Sequence, residues 1–83
     1  MDPIKIREMF EEKRIWVDHI ENLLVSDESS GVEYLKYEVE ERGQGDYEEY
    51  VTIVYVTGFA AKINVTADSL AAILMEVTRE VYF

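Results

Sequence analysis

Tyr47-Glu48-Glu49-Tyr50-Val51-Thr52-Ile53-Val54-Tyr55-Val56-Thr57 is the stretch whose reading decides the fold. From Tyr50 onward it is a run of aromatic, β-branched and threonine residues without a strong helix former, which suits a pleated surface. It reads as the central strand of a sheet. Successive side chains point to opposite sides, so Val51, Ile53 and Tyr55 share one face and Tyr50, Val54 and Val56 the other. Both faces are apolar and both need cover.

Upstream, Val32 to Glu41 alternates in the same way, with Leu35, Tyr37 and Val39 on one side and Tyr34, Lys36, Glu38 and Glu40 on the other. The connector Arg42-Gly43-Gln44-Gly45-Asp46 carries the glycines of a hairpin, so this strand should run antiparallel to the central one. Keeping both apolar sets on one face puts Leu35 opposite Ile53 and Tyr37 opposite Val51, and the same register sets Glu40 opposite Glu48. Like charges across a strand pair are destabilising. With Glu38, Glu41, Asp46 and Glu49 close by, the distal end of the hairpin is expected to concentrate carboxylates, relieved only by Arg42 and Lys36. An arrangement that works against folding is a place to look for function.

Downstream, Thr57-Gly58-Phe59 marks a second turn and Ala60 to Val65 a third strand. A three-residue loop would put Ile63 and Val65 on the face of Val51 and Ile53, a two-residue loop on the other. Both registers stay open. Thr66 is expected to cap a second helix from Ala67 to about Glu80, with Asp68 in its first turn and Leu70, Ile73, Leu74, Val77 and Val81 as its apolar stripe.

At the other end, Asp2 and Pro3 suit the cap and first position of a helix running to about Leu24. Its stripe comprises Ile6, Met9, Phe10, Trp16, Val17, Ile20, Leu23 and Leu24, interrupted only by Lys13. Ile15 falls off the stripe, and a break near Lys13 stays open. Ser26 to Gly31 reads as a turn, and its acids lack the spacing of a calcium loop. The order is therefore helix, three-stranded antiparallel meander, helix: one α+β domain over residues 1–83, two-layered, with both helices on one face of the sheet. Tyr34, Tyr50, Val54 and Val56 are left on the uncovered face, which predicts a homodimer interface.

The 83 residues contain no cysteine, which suits a reducing cytoplasm, and the amino terminus lacks the pattern of a secretory signal. Of the net charge of −10, −7 falls between Asp27 and Glu49, where 9 acids face 2 bases. Such a field disfavours nucleic acid and anionic membranes and favours basic partners. His19 is the only histidine, and it has no carboxylate three or four residues away to orient it. The adjacent acid pairs Glu11-Glu12, Glu40-Glu41 and Glu48-Glu49 diverge on any regular element. No nucleophile elbow or phosphate-binding glycine loop occurs. Neither an enzyme nor a metal or other cofactor is expected. Asn64-Val65-Thr66 matches a glycosylation sequon but reads as a strand end plus helix cap.

The segment Lys62-Ile63-Asn64-Val65-Thr66-Ala67-Asp68-Ser69-Leu70, with the apolar helix after it, resembles the C-terminal portion of small acidic proteins encoded by phages and prophages of Gram-positive bacteria. Proteins of that class include anti-CRISPR and anti-restriction inhibitors that set carboxylates where DNA phosphates would lie. The resemblance implies a non-enzymatic inhibitor of a host defence nuclease, acting in the host cytoplasm. The expected contact residues are Glu38, Glu40, Glu41, Asp46, Glu48 and Glu49, with Tyr47 and Tyr50 beside them, directed at a basic surface of a nucleic-acid-binding protein. The other expectation is a small homodimeric accessory module that uses Tyr34, Val54 and Val56 and has no inhibitory role.

Overall fold

Pro3 opens a helix that runs unbroken through Lys13 to Ser26 (α1). The structure, a computed structural model, describes residues 3–83, so the expected Asp2 cap lies outside the described residues. At 1.5 Å per residue, 24 residues give a rod of about 36 Å, which accounts for most of the 41 Å long axis of the molecule. Val17, Ile20 and Leu24 of the stripe are buried, and so is Lys13. Leu23 is an exception at 70 % exposure, because it lies at the edge of the stripe where no second element covers it.

A 3-10 turn, Glu28–Ser30, leads out of α1. Asp27 caps it by accepting the Ser29 N–H at 3.1 Å, and Gly31 closes it with φ 70°, a conformation that glycine adopts without strain. The strands β1 (Val32–Gly43), β2 (Asp46–Tyr55) and β3 (Ala60–Asn64) form an antiparallel sheet in that order, with β2 central. Leu35 pairs with Ile53, Tyr37 with Val51 and Glu40 with Glu48, the register that the alternation implied. The hairpin closes on Gln44-Gly45, whose φ values of 34° and 85° are both positive, as a tight turn matched to strand twist requires.

The open question of the third strand is decided by the three-residue loop Val56-Thr57-Gly58. The Tyr55 N–H donates to the Phe59 carbonyl at 2.8 Å, and Val51 then pairs with Ile63. Ile63 and Val65 accordingly join the inner face. The second helix, α2 (Leu70–Tyr82), starts three residues later than Thr66 had suggested, and its cap is Ser69, which accepts the Ala72 N–H at 3.1 Å. Thr66 is unavailable for capping because its hydroxyl accepts the Glu49 N–H, while Ala67 has φ 61° and lies outside helical geometry. Asp68 therefore precedes the helix.

The core joins Val17, Ile20 and Leu24 of α1, Ile73 and Val77 of α2, and the inner sheet face around Val51 and Ile53. Both helices thus lie on one side of the sheet. None of the described helices is long and apolar enough to cross a membrane.

Ile53 is fully buried while Val56 is 68 % exposed, although both stand in the same apolar run. Ile53→Ala should lower unfolding free energy by about 2–5 kcal/mol, and Val56→Ala should change it by no more than about 0.5 kcal/mol, as measured by urea unfolding followed through Trp16 fluorescence.

Candidate functional site

The two faces of the hairpin treat their acids differently. On the outer face, Arg42 Nη2 lies 2.8 Å from a Glu40 oxygen and 3.1 Å from a Glu48 oxygen, bridging the opposed pair. Lys62, carried onto this face by the register of β3, lies 3.4 Å from the other Glu40 oxygen and sits over the Tyr50 ring at 4.2 Å. The Tyr50 hydroxyl donates to Glu48. That bond first, and then Arg42, holds the Glu48 carboxyl below its ordinary range. Lys36 pairs with Glu38 at 3.7 Å. Glu38, Glu40 and Glu48, expected to be relieved only by Arg42 and Lys36, are therefore matched by three cations, with Lys62 the addition. Lys62 was missing from the sequence account because it reaches Glu40 only once the third strand is in register.

On the inner face Glu49 is only 3 % exposed and cannot belong to a surface contact, which corrects its expected role. Alternation along β2 puts it in line with Val51 and Ile53, and Lys13 of α1 comes down to meet it. The Lys13 Nζ lies 2.8 Å from Glu49 Oε1, with the two side chains 7 % and 4 % exposed. The Tyr37 hydroxyl donates to the same oxygen at 2.6 Å, and the Ala67 N–H donates to Oε2 at 2.8 Å. Burial raises the Glu49 carboxyl, but the hydrogen bonds from Lys13, Tyr37 and Ala67 and the Lys13 charge outweigh it and hold the group below its ordinary value. Burial, and then the adjacent Glu49 carboxylate, push the Tyr37 phenol upward, so it remains a donor.

Tyr47 also faces inward, with its ring 5.4 Å from that of Phe10 in an edge-on contact. Tyr47 and Tyr50 therefore stand on opposite sides of the sheet. Glu41 and Asp46 are exposed and, among the described residues, make no ion pair.

Above the buried pair a groove of about 710 Å³ opens between α1, the hairpin tip and the β3–α2 loop. Lys13 and Glu49 line it together with the apolar side chains Ile6, Met9, Phe10 and Leu70. Glu12, Asp46 and Asp68 also border it, each from a different element, and none of them has an ion-pair partner among the described residues. Glu12, Asp68 and Met9 did not stand out in the sequence as site residues. Lys13 did give a signal: a lysine inside an apolar stripe, in a chain where Glu49 alternates with buried valine and isoleucine, is a pairing that both periodicities support.

On the uncovered sheet face Tyr34 is 45 % exposed and the Val54 opposite it is half-buried, whereas β2 ends at Tyr55 and Val56, 68 % exposed, stands in the turn that follows, which corrects its expected place on that face. His19 lies exposed on α1. No protein-family model, curated protein or solved structure matches this chain. The segment from Lys62 to Leu70 spans the end of β3, the Ala67 turn and the Ser69 cap.

Removing one member of a buried pair leaves the other charge without compensation, so Lys13→Met should cost about 3–5 kcal/mol at pH 7. Adding Glu49→Gln to that variant should recover most of the loss, because glutamine can still accept from Tyr37 or Ala67. Glu49 has a folded-state value below the unfolded value of 4.5, so its stabilisation is present above that pH and is lost as pH falls through the folded value. Urea midpoints measured from about pH 6 down to about pH 3 should therefore fall more steeply for the parent than for the double variant.

Proposed function

We propose that this chain is a non-catalytic binding protein whose carboxylates dock on a basic surface of a nucleic-acid-binding protein, such as a host defence nuclease. The observation that carries this reading is the sorting of charge. Glu38, Glu40 and Glu48 are compensated on the outer face, whereas Glu12, Glu41, Asp46 and Asp68 remain exposed or border the groove at the hairpin end without ion pairs among the described residues. Four uncompensated carboxylates near one another at the hairpin end, in a chain with net charge −10, give a local field that attracts cationic surfaces and repels phosphate. The contact is accordingly moved from the face of the hairpin to its tip and the flank toward α1. Glu49 plays no part in it, and Tyr47 contributes from the inner side.

Immobilised protein should capture basic nucleic-acid-binding proteins from a bacterial lysate, and double-stranded DNA should displace them. Capture should fall at least tenfold between about 50 and 500 mM salt. It should also be lost on the combined change Glu12→Gln, Glu41→Gln, Asp46→Asn and Asp68→Asn, with Glu38→Gln as the compensated control that retains it. Capture that is flat in salt or survives the quadruple change removes the reading.

A second reading, a homodimer through the uncovered sheet face, is favoured by the exposure of Tyr34 beside the half-buried Val54. Sedimentation at micromolar concentration should then detect a dimer that Tyr34→Lys dissociates. A monomer throughout that range removes the dimer but leaves the acidic contact untouched.

A further inference from the structure

The groove exists because the elements on its two sides differ in length. β3 has 5 residues against 12 and 10 in β1 and β2, and it stops level with Glu49, where the Val65 N–H donates to the Glu49 carbonyl at 2.8 Å. The chain then spends residues 65–69 in a turn and runs back as α2. The hairpin tip and the first turns of α1 extend beyond that level with neither β3 nor α2 beside them. Ile6, Met9 and Phe10, spaced three and four residues apart on one face of α1, continue the apolar stripe past the place where the core ends. Leu70, at the start of α2, faces them across the gap.

We propose that this groove receives one bulky apolar side chain of a basic polypeptide segment, with lysines or arginines on either side of that residue reaching Glu12, Asp46 and Asp68. The inference rests on the basic-partner reading above and assigns its contact point. A volume of about 710 Å³ accommodates a phenylalanine or leucine together with part of its backbone. The rim supplies the charge complementarity: one carboxylate each from α1, β2 and the β3–α2 loop surrounds an apolar centre, the pattern that recognises an apolar anchor between cations and rejects phosphate and acidic peptides. The floor adds a polar handle. Among the described residues the Lys13 ammonium donates only to Glu49 Oε1, so it keeps donor capacity for a backbone carbonyl of the incoming segment.

The test is a heteronuclear NMR titration of the intact protein with capped pentapeptides Lys-Lys-X-Lys-Lys in which X is Phe, Leu or Ala. The Phe and Leu peptides should shift the amides of Phe10, Asp46, Ala67 and Leu70, and the Ala peptide should bind at least about tenfold more weakly, as loss of a buried large side chain implies. Met9, 37 % exposed, tolerates substitution without damage to the core, so Met9→Lys should fold normally and weaken the Phe peptide by about tenfold or more. Asp46→Asn with Asp68→Asn should weaken it comparably. Equal binding of the Phe and Ala peptides, indifference to Met9→Lys, or shifts centred on Glu40 and Lys62 would overturn the groove while leaving the basic-partner reading in place. Absence of shifts with every lysine peptide removes both.

Discussion

The ion pair between Lys13 and Glu49 is the constraint on which the other parts of the structure depend. It joins the middle of α1 to the central strand, and through Oε2 of the same carboxylate it holds the Ala67 N–H in the loop that precedes α2. Taking two charges out of water costs several kcal/mol per ion, so such a pair is seldom the most stabilising choice. What it supplies is uniqueness. A slip of one residue in β2 would carry Glu49 to the outer face and leave Lys13 buried without a counter-charge, an error far more costly than the displacement of one valine. In a sheet whose apolar residues occupy both faces of β2, hydrophobicity alone discriminates registers poorly, and the pair provides the missing discrimination.

The same carboxylate governs where the third strand ends. Glu49 uses its backbone N–H on the Thr66 hydroxyl, its carbonyl on the Val65 N–H and its side chain on Ala67. Three successive residues are thus tied to one residue of β2, and Ala67 is held at φ 61°, a conformation that costs a non-glycine residue roughly 1–2 kcal/mol. Helix formation cannot begin until this tether is passed, which is why Ser69 and not Thr66 serves as the cap. The late start of α2 leaves the first turns of α1 uncovered, so the groove and the buried pair have a common origin.

Much of the architecture was legible in the sequence. The β1–β2 register followed from two alternating runs joined by a glycine turn of hairpin length, and α1 from the spacing of its stripe. The start of α2 was not legible, because Thr66 and Ser69 are both favoured cap residues and the engagement of Thr66 with Glu49, 17 residues away, is what separates them. The site was misread for a related reason. Counting acids along the hairpin treats each as exposed, whereas alternation assigns Glu49 to the interior. Compensation by Lys62 depends on a strand register that loop length alone left open.

Sorting of charge across the hairpin follows from the sheet's geometry. On the outer face Glu40 stands opposite Glu48 and Arg42 bridges them, while Lys62, opposite Thr52, reaches over the Tyr50 ring to Glu40, so repulsion between the opposed glutamates is relieved by cations that the sheet register brings within reach. At the tip and on the groove rim, carboxylates from α1, β2 and the loop before α2 come together without any ladder to bring lysines among them. Their mutual repulsion is weakened by solvent and adds little cost to folding, yet their combined field persists over about one Debye length into the medium. A fold of this size therefore keeps its inner ion pair for alignment and its outer pairs for strand tolerance. Four carboxylates uncompensated among the described residues, Glu12, Glu41, Asp46 and Asp68, lie where α2 and β3 give no cover, beside Ile6, Met9 and Leu70.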